Sequence, residues 1–297
     1  MTEFSLSGAM TALVTPFSED STAIDFEAFD ALIERQIAGG ISGLVVCGTT
    51  AESPTLSEAE KREVLSRAVR VAAGRVPVMA GTGSNNTTSS VADAKQAAAS
   101  GVQAVMVVVP YYNKPSQDGL VAHLSAVARS VDLPVVIYNI PGRASVSLEV
   151  TSLLRVLDAC PNVVGLKDAS GDVQYCQELL GQSGDRVDVM SGDDPLLVPL
   201  MSVGAAGVIS VTSHLFPRRI SNIIVAMNEG RLADARVGHF EMLPVHRALF
   251  LEPNPAPVKA AMAARGWMKA NVRLPLVAAS AETASRIAAI TEGVTDQ

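Results

Sequence analysis

Short apolar runs alternate with amphipathic stretches along this chain, and the alternation repeats eight times. The runs cover residues 9–17, 43–48, 76–83, 104–110, 134–141, 163–170, 187–194 and 207–214. Each is rich in Val, Ile or Leu and too short for a helix. Continuous apolar runs of this kind suit strands covered on both faces, as in a parallel sheet. The stretches between them predict helices. Ser57-Glu58-Ala59-Glu60 is a capping-box sequence, and Leu65, Ala68, Val69 and Ala72 follow it at helical spacing. Leu120, Leu124, Val127, Ala128 and Val131 form a second stripe. Asp25 is placed to cap a helix whose Phe29, Leu32, Ile33 and Gln36 face the sheet and its margin.

Eight strand–helix units leave a choice between a closed barrel and an open doubly wound sheet. No GxGxxG follows the first run, where the turn reads Thr15-Pro16-Phe17, so a dinucleotide-binding sheet is disfavoured. The expected fold is an α/β (β/α)8 TIM barrel. From about residue 231 the pattern becomes helical, over 231–249, 258–264 and 278–290. The expected organisation is therefore a catalytic barrel over 1–230 and a C-terminal helical appendage over 231–297.

Composition narrows the function. Of 297 residues, 48% are hydrophobic and 18% charged, enough for a large core. The net charge of −7, with no basic run, argues against a nucleic-acid partner and means that an anionic substrate needs locally placed cations. The longest apolar run is far short of the ~20 residues of a membrane span, and the start MTEFSLSGAM lacks a secretory pattern. Cys47, Cys160 and Cys176 form no CxxC pair, as suits a reducing cytoplasm, and the four histidines have no metal spacing. No cofactor or metal is expected.

In a barrel of this type the site lies where the strands end. Lys167 follows Val163-Val164-Gly165-Leu166 and by period two shares a face with Val163 and Gly165. If that face is the interior, the ammonium sits among apolar walls beside a glycine that leaves room for a ligand. Burial lowers a lysine pKa and frees the amine to attack a carbonyl; the bland alternative is a strand-end lysine reaching solvent. Thr49 and Thr50 can donate to a carboxylate or merely cap a helix. Tyr111, Tyr112 and Tyr138, three of four tyrosines, fall at strand ends, where a phenol can shuttle a proton or simply pack. Arg143 offers a fork for a carboxylate or a surface charge. Asp193 and Asp194 follow the seventh run, where phosphate-binding barrels commonly hold their ligand, and would repel a phosphate.

Six segments together resemble the dihydrodipicolinate synthase / N-acetylneuraminate lyase family. They are Gly48-Thr49-Thr50-Ala51-Glu52-Ser53, Tyr111-Tyr112-Asn113-Lys114-Pro115, Tyr138-Asn139-Ile140-Pro141-Gly142-Arg143, Gly165-Leu166-Lys167-Asp168-Ala169, Gly207-Val208-Ile209-Ser210-Val211-Thr212 and Asn254-Pro255-Ala256-Pro257-Val258-Lys259. The resemblance implies that Lys167 forms a Schiff base with pyruvate, whose enamine attacks an aldehyde. It implies that Thr49 and Thr50 hold the pyruvate carboxylate, that Tyr138 is the acid/base, and that Thr49 links it to Tyr112, which completes the site of a neighbouring subunit. A tight dimer, and usually a tetramer of two dimers, follows. Gly192 and Ile209 would contribute backbone groups. Arg143 points to the synthase branch and an L-aspartate 4-semialdehyde partner; the alternative is a lyase or aldolase acting on N-acetylneuraminate or a 2-keto-3-deoxy acid. Ala51 stands where the family usually has glycine. Ser89, Glu58 and Lys61 depart from the residues of lysine-inhibited members, so feedback by lysine is expected to be weak or absent.

Overall fold

The computed structural model describes residues 4–296; residues 1–3 and 297, the outermost of the two expected units, lie outside the described residues. Eight parallel strands close into a barrel in sequence order: β1 Gly8–Ala12, β2 Gly43–Val46, β3 Val78–Gly81, β4 Ala104–Val108, β5 Val135–Asn139, β6 Val163–Asp168, β7 Asp188–Ser191 and β8 Gly207–Ser210. Closure is made by β8 against β1, where Met10 pairs with Ile209. Seven fall inside the predicted runs and β1 begins one residue before its run; most end earlier. Leu13, Val14, Thr15 and Phe17 continue the first run fully buried yet outside the ladder. An apolar run reports burial; only strand pairing reports a strand.

The helices are α1 Phe26–Ala38, α2 Glu58–Ala72, α3 Thr87–Ala99, α4 Gln117–Ala128, α5 Pro141–Ala144, α6 Val150–Ala159, α7 Val173–Ser183, α8 Leu197–Met201, α9 Pro217–Asn228, α10 Leu232–Ala248, α11 Ala256–Ala263 and α12 Ala281–Thr291. Asp25 caps α1 by accepting from the Ala28 N–H, and Ser57 and Glu60 close the capping box of α2. Phe29, Leu32, Ile33 and Gln36 are all buried. Gln36 lies deeper than the margin expected of it: Thr11 donates to its Oε1 at 2.7 Å, and its Nε2 donates to the His214 carbonyl at 3.3 Å.

Two apolar layers result. The outer layer packs the helices onto the barrel, while Met10, Val45, Met79, Met106, Val136, Met190 and Ile209 fill the interior, with Leu6 packed among them. The C-terminal helices pack on this frame, α10 against α9 and α12, and α11 against the turn after β8.

Candidate active site

The register of β6 decides where Lys167 points. Val135 pairs with Val163, but Val136 pairs with Gly165, so Val164 is an extra residue in a bulge. The bulge breaks period two. Val163 joins the outer layer, whereas Gly165 and Lys167 align with the inward-facing Val136 and Tyr138. Simple alternation from Val163 is therefore corrected, and the interior position of Lys167 stands. The room beside Gly165 is also not for a ligand: a Cβ there would lie 1.9 Å from Leu6 Cδ2, so Leu6 fills it. The glycine that gives the lysine space is Gly192, where a Cβ would stand 3.2 Å from Lys167 Cε and 2.7 Å from the Ala169 Cβ.

Lys167 is 6% exposed, and its Nζ lies 4.2 Å from the centroid of the Tyr138 ring. It has no hydrogen-bond or ion-pair partner among the described residues. Burial lowers its pKa to about 8; the Asp193 and Asp194 carboxylates act against that shift and the Arg143 charge with it. Tyr138, its neighbour across the β5–β6 ladder, is pushed up to about 12 by burial, against the pull of Arg143 and a hydrogen bond with Thr49. The phenol thus keeps its proton at neutral pH while the amine beside it gives one up readily.

A cavity of about 380 Å³ reaches the Tyr138 member of this pair and is lined by Thr49, Met106, Tyr111, Tyr138, Arg143 and Asn254, among others. Arg143, exposed at the rim in α5, has no ion-pair partner among the described residues and is free to meet an anion. Lys61 lies on the side toward α2, 2.9 Å from Glu58 and 3.9 Å from Asp93.

The Gly48–Ser53 turn is held from several directions. Cys47 and Glu52 both adopt φ of +57°, a left-handed conformation sustained by the surrounding contacts. Ala51 does not need a positive φ, which is why a methyl group is accepted there; its carbonyl accepts from the Thr15 hydroxyl at 2.8 Å. Glu52 is fully buried and pairs with Lys259 of α11 at 2.5 Å, while its other oxygen accepts from the Arg273 N–H at 2.8 Å. Asn254 donates to the Thr50 hydroxyl at 2.9 Å. Asn254 and Lys259 belong to a quoted motif, but nothing in the sequence predicted that they brace this turn. Only a contact between residues more than 200 positions apart reveals it.

The other expected residues divide. Ile209 lies in the interior layer, and Gly192 beside the lysine donates its N–H to the Asp168 carbonyl at 2.6 Å. Tyr112 is not in this cavity: it is 85% exposed, with φ of +73°. Asp193 borders the lysine, but Asp194 is buried and accepts from the Ser210 hydroxyl and the N–H groups of Val211 at 2.9 Å and Thr212 at 3.1 Å. Those N–H groups after β8 are where a barrel of this architecture would seat a phosphate. Here the protein's own carboxylate occupies them.

Fold and site together define a (β/α)8-barrel protein with a buried, unpaired lysine at the barrel mouth. Residues 5–293 match the model of the dihydrodipicolinate synthetase family, and the chain belongs to that family. The chain is 56% identical, over 97% of its length and 96% of the relative's, to a protein of Sorangium cellulosum (strain So ce56) named 4-hydroxy-tetrahydrodipicolinate synthase. The crystal structure of dihydrodipicolinate synthase from Aquifex aeolicus superposes with a TM-score of 0.94 at 40% identity, covering 97% of both chains. That of the chloride-inhibited dihydrodipicolinate synthase from Acinetobacter baumannii, complexed with pyruvate, gives 0.94 at 35% identity, covering 97% of this chain and 98% of the other.

Proposed function

We propose that this protein condenses pyruvate with L-aspartate 4-semialdehyde to 4-hydroxy-tetrahydrodipicolinate through a Schiff base on Lys167. The observation that carries the reading is the buried, partnerless ammonium of Lys167 against the Tyr138 ring, its pKa lowered to about 8. Family membership and the names of full-length relatives support the substrates.

In this reading the neutral amine attacks C2 of pyruvate. The carbinolamine loses water to an iminium, which releases a C3 proton to become the enamine. The enamine carbon then bonds to the aldehyde carbon, the aldehyde oxygen takes a proton, and the iminium re-forms at C2. The amino group of the semialdehyde attacks C2, and the C2–Nζ bond breaks, closing the ring and releasing Lys167 as the free amine. Tyr138, protonated at neutral pH and next to the amine, is the group to deliver and recover these protons. Thr49 and Thr50 hold the pyruvate carboxylate beside it, and Gly192 and Ile209 shape the wall. Arg143, unpaired at the rim, receives the semialdehyde carboxylate. Borohydride reduction with pyruvate followed by peptide mass analysis tests the centre of this scheme: an adduct is expected on Lys167, and its absence there overturns the mechanism.

Tyr112 takes part from a second subunit. An exposed ring on a left-handed backbone, outside the lining of its own cavity, suits insertion into a neighbour's Thr49–Tyr138 pair, and with it a tight dimer assembled into a tetramer. Sedimentation analysis checks the assembly. Of the expected 231–297 appendage and 1–230 barrel, the described residues from 231 to 296 form a helical unit on the barrel, and one that serves the site through Asn254 and Lys259. A cytoplasmic location suits three buried free cysteines; among the described residues no helix is long and apolar enough to cross a membrane. Ser89, Glu58 and Lys61 stand where the lysine-inhibited members that the sequence resembles have other residues, so feedback by lysine is weak or absent. Strong inhibition at submillimolar lysine would contradict this.

A further inference from the structure

Thr50 is 4% exposed and has a single hydroxyl with which to hold a carboxylate. A threonine hydroxyl carries one donor and two acceptor sites. Asn254, 6% exposed and on the cavity wall, donates its Nδ2–H to Thr50 Oγ1 at 2.9 Å. Because Asn254 supplies the proton of that bond, the Thr50 hydroxyl proton must point elsewhere. The carbonyl end of the same amide, Oδ1, is buried with no partner among the described residues, so Thr50 is the group that holds the Asn254 side chain. The Lys259–Glu52 pair, five residues further along the chain, ties the same segment to the other end of the turn.

We propose that Asn254 is a positioning residue for substrate binding: it locks the rotor of Thr50 so that the hydroxyl proton is presented to the substrate carboxylate. The inference rests on the reading of Thr50 as a carboxylate donor. Without Asn254 the hydroxyl is free to turn its proton away, and the bond to the carboxylate is made only from one of several orientations.

The test is a double-mutant cycle in the full-length protein with Thr50→Val, Asn254→Ala and both together, following KM for pyruvate, kcat and thermal midpoint. A hydrogen bond to a charged group contributes on the order of 1.5–3 kcal/mol, so Thr50→Val is expected to raise KM by roughly 10–100-fold. Asn254→Ala is expected to raise KM several-fold with kcat changed far less, and to add nothing in the Thr50→Val background. The near-isosteric Asn254→Asp keeps the shape but reverses the bond, drawing the Thr50 proton toward itself, and is expected to raise KM more than alanine does. Additive effects in the double variant, or an unchanged KM in a folded Asn254→Ala or Asn254→Asp protein, overturn the assignment. Borohydride trapping of the unsubstituted protein separates the two claims. No pyruvate adduct on Lys167 sinks the functional reading, whereas an adduct with an additive cycle sinks only the role of Asn254.

Discussion

Two lysines of this protein are buried, and burial lowers both to about the same pKa, near 8. Lys259 is completely enclosed. Its ammonium meets Glu52 at 2.5 Å, donates to the Asn271 carbonyl at 2.8 Å and lies 4.2 Å from the Phe17 ring centroid. Lys167 has an aromatic ring at the same distance and, among the described residues, no hydrogen-bond or ion-pair partner. A depressed pKa therefore does not by itself mark a nucleophile. What separates the two is whether the nitrogen's donors are already spent. Lys259 holds the turn on which Thr49 and Thr50 stand; Lys167 has nothing to hold and is free to react.

The contrast is broken most severely by exchanging the two losses. Lys167→Met is expected to abolish pyruvate trapping and reduce condensation to background. Its denaturant midpoint should hold or rise, because an uncompensated buried cation is removed. Smaller in effect on activity, Tyr138→Phe should lower kcat by about 10²–10⁴-fold while leaving the fold intact, as expected of a lost proton shuttle; a loss below tenfold would remove Tyr138 from the proton path. Lys259→Met is the mirror image, with a primary effect on stability. It leaves the Glu52 carboxylate buried and unpaired, and should cost about 3–5 kcal/mol in denaturant unfolding. Adding Glu52→Gln to Lys259→Met should recover part of that loss.

The pH dependence sharpens the comparison most gently. With a pKa of about 8, roughly a tenth of Lys167 is neutral at pH 7 and half at pH 8. The initial rate of pyruvate trapping should rise through that range and level off above it. Stability should follow the same sign. Lys167 is lowered from 10.5 in the unfolded chain, so between pH 8 and 10.5 the unfolded state binds more protons, and the folded state gains as pH rises. In Lys167→Met that gain should be missing from a stability profile over this window.

Much of this was legible in one dimension because the signals are local. Strand runs, the Ser57 capping box, the Asp25 cap and the helical stripe of α1 each depend on residues a few positions apart, and each recurs in the structure. Lys167 was legible as a polar residue ending an apolar run. The inward direction of its side chain was predicted from a period that the Val164 bulge interrupts, and a bulge depends on how β6 registers against β5, which no local pattern encodes. The same limit hid the occupant of the Gly165 space, the role of Gly192 and the carboxylate of Asp194 filling the N–H groups after β8.

The sequence by itself determined the barrel, its eight strands, the C-terminal helices and the residue types of the site, because alternation, capping and turn chemistry act between neighbours. Only the tertiary structure decided which buried lysine is satisfied and which is idle. That depends on Glu52 meeting Lys259 across 207 positions, and on no comparable partner reaching Lys167 among the described residues.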